Sequence, residues 1–132
     1  MSFDDSTIDQ VLGLKTWAIV GLGNNPERAA FGVAKLLQDK GHKIVPVYPR
    51  AEEVHGEPGF KTLSEIPFAV DVVDCFVNSN LVGKVVDEAI AIGAKAVWLQ
   101  LDVIDHEAVA RAEAAGLLAI MDRCPAIEYR KR

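Results

Sequence analysis

The stretch that decides the fold is Thr16-Trp17-Ala18-Ile19-Val20-Gly21-Leu22-Gly23-Asn24-Asn25-Pro26. A short apolar run closed by glycine reads as a strand buried on both faces, as the strands of a parallel sheet are. The two glycines make a tight turn. Asn24 or Asn25 can then cap a helix that starts at Pro26, since the first helical N–H, which proline lacks, has no partner there in any case. Strand, glycine turn and helix in that order open a βαβ unit.

Working outward, residues 6–12 place Ile8, Val11 and Leu12 on one helical face, a short amphipathic helix expected to pack on the domain. Phe31, Ala34, Leu36 and Leu37 supply the core face of the helix after the turn, and Gly41 suits its end. Residues 43–48 read as a second strand. Pro46 cannot donate to a ladder, which puts this strand at or near an edge or bends it there. Residues 49–67 are irregular, with room for a short strand near Phe60 and a helical turn after Thr62. Strands at 71–77, 96–99 and 117–121 then alternate with helices at 81–92 and 105–115, and Asn78, Ser79 and Asn80 form a cap cluster before the first of these. This alternation is the signature of a Rossmann-like, doubly wound parallel sheet of about five strands with helices on both faces, a single α/β domain over residues 1–132 with residues 1–15 packed on it.

In such sheets ligands sit outside the carboxyl ends of the strands, where strand order reverses. That rule selects the loops at 21–28, 48–50 and 77–80, with 100–102 as a fourth wall. Gly21 and Gly23 let backbone approach a pyrophosphate, and the helix behind them offers free N–H groups. A dinucleotide fingerprint would carry a third glycine where Pro26 stands, so the match is partial. An NAD site places a carboxylate at the end of the second strand to accept ribose hydroxyls, but the sequence there is Val47-Tyr48-Pro49-Arg50. Arg50 suits a ribose phosphate, the 3′-phosphate of coenzyme A or the 2′-phosphate of NADP; it is equally readable as a solvated arginine. A helix dipole contributes about 1 to 2 kcal/mol, whereas micromolar binding needs about 8 kcal/mol. Several loops must therefore share the ligand, with Val47, Tyr48 and Pro49 as an adenine wall and Asn78 and Ser79 as hydrogen-bonding partners.

A net charge of −5 argues against a nucleic-acid partner. No apolar run approaches the roughly 18 residues of a membrane span, and no leader is visible at the start, so a cytoplasmic protein is expected. Cys75 and Cys124 form neither a CxxC pair nor a disulfide framework, and no histidine pair has metal-site spacing. No catalytic constellation emerges.

The segments Ile44-Val45-Pro46-Val47-Tyr48-Pro49, residues 85–100, and Met121-Asp122-Arg123-Cys124-Pro125 carry a resemblance. The chain resembles small stand-alone CoA-binding domain proteins, which are similar to the N-terminal CoA-binding domain of the succinyl-CoA synthetase α subunit. The resemblance implies coenzyme A held across the strand ends by Gly21, Gly23, Asn24, Pro26 and Arg28, by Val47, Tyr48, Pro49 and Arg50, and by Val77, Asn78 and Ser79. Relatives often have Gly-Ala-Ser at the first turn, a hydroxyl where Ala30 stands and a glycine where Asp102 stands. The ligases built on this domain carry a phosphorylatable histidine and a nucleotide-handling domain on further sequence. The expectation is thus a CoA or acyl-CoA binding or regulatory module without chemistry of its own, as a homo-oligomer or with a ligase partner. The alternatives are a small NADP-dependent oxidoreductase and an interaction subunit of a separate acyl-CoA ligase.

Overall fold

A computed structural model describes residues 4–132. Five strands, β1 (Thr16–Val20), β2 (Lys43–Val47), β3 (Val72–Cys75), β4 (Ala96–Leu99) and β5 (Leu118–Ile120), form one all-parallel sheet in the order β2-β1-β3-β4-β5. Each is short and buried because helices cover both faces. Alternation of side chains along the strands sorts the core into two halves. Trp17, Ile19, Val72 and Trp98 face α1 (Asp5–Leu12), α2 (Ala29–Asp39) and α5 (Pro125–Arg130). Ala18, Val73, Cys75, Val97 and Leu99 face α3 (Ser79–Ala91) and α4 (His106–Ala114). The two tryptophans are fully buried, their rings 5.6 Å apart, as core rather than ligand platform.

β2 lies at the edge, as Pro46 requires. The irregular segment shields that edge: Phe60 makes a parallel bridge to Val47, donating its N–H to Pro46 O and accepting from Tyr48 N–H, and a 3-10 turn follows at Leu63–Glu65. α1 is capped by Asp4, whose side chain accepts from Thr7 N–H. α5 went unforeseen. Arg132, two residues beyond its end, ties it to α1 by bonding Asp9 and Glu128, and buried Glu128 pairs with Lys131 and Arg132.

The order of strands fixes the functional end. From β1 the chain crosses to β2 on one side, then returns past β1 to β3 on the other. The switch in direction lies between β1 and β3, so the loops after those two strands splay apart and leave a crevice above the sheet.

Candidate functional site

The turn after β1 is set first by the fold. Gly21 has φ +100°, and a Cβ there would lie 2.4 Å from Phe76 O at the end of β3. Only glycine fits that contact and that backbone, whether or not a ligand is near. Leu22 is fully buried beneath the turn. Gly23 is the position that opens space, since its Cβ would stand 3.3 Å from the Tyr48 ring and 3.4 Å from Glu52 Oε1.

α2 starts three residues later than the expected start at Pro26. Asn25 Oδ1 accepts from Glu27 N–H and Asn25 O accepts from Arg28 N–H, so the asparagine builds a turn of its own in place of a cap. Arg28 holds the N-cap position with extended backbone and no side-chain cap bond. Asn24 does not cap either: its Nδ2 donates to Glu53 O at 2.8 Å, tying the first loop to the second. The start of α3 is also uncapped by side chains. Asn78 occupies the N-cap position without a cap bond. Ser79 Oγ donates to Asp102 O and accepts from Ile104 N–H, bracing the loop after β4. The expectation that one of Asn78, Ser79 and Asn80 caps this helix fails because the serine is engaged across the loop and the asparagine faces the crevice.

Three adjoining clefts fill the crevice. The first lies among Gly21, Gly23, Asn24, Arg28, Arg50 and Glu52. The second lies among Val47, Tyr48, Pro49, Lys61, Val77 and Asn78, and the third is bounded by Ala30, Phe76, Gln100, Leu101, Val103 and Cys124. All three share Gly21 and Arg28, so they form one groove along the strand ends. Gly21, Gly23, Asn24, Arg28, Val47, Tyr48, Pro49, Arg50, Val77 and Asn78 line this groove, whereas Pro26 and Ser79 line none of the three clefts. Of the expected fourth wall, Gln100 and Leu101 contribute.

The electrostatics are mixed. Arg28, Arg50 and Lys61 bring three cations to the groove, and the uncapped starts of α2 and α3 add N–H donors with the positive end of each helix dipole. Glu52 shares the first cleft with Arg28 and Arg50. Sequence reasoning missed it because it lies in the loop beyond the strand end. The turn at residues 48–51, closed by Ala51 N–H to Tyr48 O, folds it back, and Gly59 allows the close approach, a Cβ there falling 2.2 Å from Glu52 O. Asp102 has φ +66°, the left-handed backbone a glycine adopts freely and an aspartate tolerates, and its N–H donates to Asp122 Oδ1 at 2.8 Å.

Beneath the groove, Asp74 is fully buried between Ile19 and Trp98, and neither carboxyl oxygen has a hydrogen-bond partner among the described residues. Burial pushes its carboxyl well above the usual range, favouring the neutral acid. Cys75 beside it is equally buried, and burial first, then the Asp74 charge, push its thiol well up, which makes it inert. Among the described residues no three metal-ligating side chains come together, and no helix is long and apolar enough to cross a membrane.

The model of the family described as CoA binding domain matches residues 15–130. The chain belongs to that family. It is 34% identical over 110 residues to the uncharacterized protein YneT of Bacillus subtilis, covering 83% of this chain and 82% of that one. It is 35% identical over 81 residues to the ADP-forming acetate–CoA ligase II subunit alpha of Pyrococcus furiosus, covering 61% of this chain but only 18% of that subunit. The structure of a hypothetical protein from Pyrococcus horikoshii superposes with a TM-score of 0.93 at 37% identity, over 98% of this chain and 92% of that one. The Rossmann-like fold and the CoA-binding domain relationship are therefore firm.

Arg28 borders all three clefts, Arg50 the first and Lys61 the second, while the uncharged amides of Asn78 and Gln100 stand among apolar side chains in the second and third.

Proposed function

We propose that this domain binds coenzyme A or an acyl-CoA along the groove at the carboxyl ends of its strands and acts as a binding or regulatory module. The observation that carries the reading is the pairing of a CoA-binding family match with a groove whose two bordering helices, α2 and α3, begin without side-chain caps. In this reading the pyrophosphate lies against Gly23 and against Arg28 at the uncapped start of α2. Arg50 and Arg28 meet phosphate, Tyr48 with Val47 and Pro49 walls the adenine, and Val77 and Asn78 meet the arm. Gly21 holds the turn's shape. Pro26 and Ser79 support the loops.

Glu52 brings to the first cleft the kind of carboxylate that accepts from the ribose hydroxyls of NAD, so the choice of CoA rests on Arg50 and Arg28. Calorimetry with CoA, dephospho-CoA, NAD and NADP tests the reading. CoA binding tightest, with dephospho-CoA weakened, is expected; no heat with CoA overturns it, and NADP binding tightest transfers the site to a dinucleotide.

A second reading has its own support. The 35% identity to a segment of an ADP-forming ligase alpha subunit favours a module that works beside a separate ligase partner. Copurification of the tagged chain from its own cells with a nucleotide-handling ligase subunit would support it, and a chain recovered alone would count against it.

A further inference from the structure

We propose that the third cleft receives the thiol end of the bound cofactor and that Cys124 captures it there as a mixed disulfide. The inference rests on the CoA reading of the groove and adds a covalent step to it. The two cysteines differ sharply in placement. Cys75 is sealed in the core on the α3 and α4 side of the sheet, whereas Cys124 retains 9% exposure and forms part of the cleft wall. A cysteine alone would say little. The same wall, however, holds Gln100, which is only 6% exposed and whose side-chain carbonyl has no hydrogen-bond partner among the described residues. A buried polar atom left unpaired is destabilising. An N–H donor of a ligand in the cleft would relieve that penalty. An amide N–H of a pantetheine arm is a donor of the right kind, and it would place the thiol a short distance further along the same wall.

The groove supplies the path. The second and third clefts share Phe76, Val77 and Asn78 as well as Gly21 and Arg28, so a ligand anchored by its phosphates at Arg28 can run past the end of β3 into the compartment holding Gln100 and Cys124. Ala30, Leu101 and Val103 make that compartment more apolar than the first cleft, consistent with an uncharged arm.

The step is a thiol–disulfide exchange, and its co-reactant is the disulfide form of the same cofactor. The Cys124 thiolate attacks one sulfur of CoA disulfide; a Cys124 Sγ–S bond forms, the S–S bond of the ligand breaks, and one CoA leaves as thiolate and takes up a proton equivalent to the one Cys124 lost. No net oxidation of the system occurs. A free thiol reverses it.

The full chain mixed with CoA disulfide and read by intact mass spectrometry under non-reducing conditions tests the step. A single CoA adduct is expected, removed by dithiothreitol, mapped to Cys124 by peptide digestion, absent in Cys124→Ser and retained in Cys75→Ser. Peptide mapping of the unaltered chain keeps the test sound if either variant folds poorly. Presentation by a bound nucleotide at an effective concentration of about 1 mM implies that capture at about 10 µM disulfide is about a hundredfold faster than with glutathione disulfide. Excess S-methyl-CoA should slow it, and Gln100→Leu should slow it while leaving the glutathione rate alone. Equal rates with both disulfides, or an adduct on Cys75, overturn the proposal. Calorimetric heat with CoA but no adduct overturns it while sparing the binding reading; absence of both overturns the two together.

Discussion

α4 and α3 pack side by side and begin at the same end of the sheet, yet they begin differently. At α4, Asp105 Oδ1 accepts from Ala108 N–H at 3.0 Å, and α1 is started in the same way by Asp4. At α3, and again at α2, the residue in the N-cap position makes no side-chain bond to the helix. A side-chain cap contributes about 1 kcal/mol, so leaving it out weakens the fold locally. Neither capping aspartate lines one of the three clefts, while Arg28 and Asn78 do. The difference separates residues that hold the domain together from residues that leave donors free for an anion.

The largest effect tests whether the uncapped start of α2 depends on the turn before it. Gly21→Ala forces a side chain into left-handed backbone and against Phe76 O, and a loss of about 3 kcal/mol or more is expected in urea denaturation. Retained stability would show that the turn relaxes freely and that its shape is no constraint on the groove.

Next comes the contrast between aspartates that meet an N–H and one that meets nothing. The Thr7 N–H lowers the carboxyl of Asp4, so its contribution is present above the unfolded value near 3.8 and fades as pH falls below it. Asp74 has the opposite sign. Its raised carboxyl binds a proton more tightly when folded, so its contribution is full below the unfolded value and is lost as pH rises through the folded one. Asp74→Asn should therefore flatten the fall in stability with rising pH above about 4, read as denaturation midpoints across a pH series. An unchanged slope would mean that Asp74 finds a partner.

On the binding side, Arg50→Ala should weaken CoA about tenfold or more, since a hydrogen bond to a charged group contributes about 1.5 to 3 kcal/mol, and should leave dephospho-CoA nearly unaffected. Equal loss for both ligands would detach Arg50 from the ribose phosphate. The reverse pattern is expected on the capped side: Asp105→Ala should cost about 1 kcal/mol of stability with CoA affinity unchanged.

Much of this division was legible in the sequence, and the gaps have physical causes. Pro46 placed β2 at the edge because a missing N–H cannot be hidden inside a sheet. Apolar runs gave every strand because both faces of the sheet are buried. The start of α2 was misplaced because Asn25 carries the same hydrogen-bonding group whether it caps a helix or closes its own turn, and only the backbone decides. α5 escaped because six residues give too little period to read. Glu52 and Cys124 reach the groove through chain reversals that no local pattern encodes. The glycine pair combines two roles that the sequence does not separate, since Gly21 is required by its contact with Phe76 while Gly23 opens the space beside Tyr48.

The smallest effect sharpens the comparison most. Asn78 already sits with extended backbone in the N-cap position, a place where its own amide oxygen could accept from the helix, yet it faces the groove. Asn78→Asp keeps the shape and adds a charge that the helix dipole favours by about 0.3 to 1 kcal/mol. If the free N–H groups of α3 serve an anionic ligand, that carboxylate should turn inward, raise the denaturation midpoint slightly and weaken CoA, with the loss shrinking as salt screens the new charge. Higher stability with unchanged affinity would leave α2 as the only anion-binding start, and would reduce α3 to a wall for the uncharged part of the ligand.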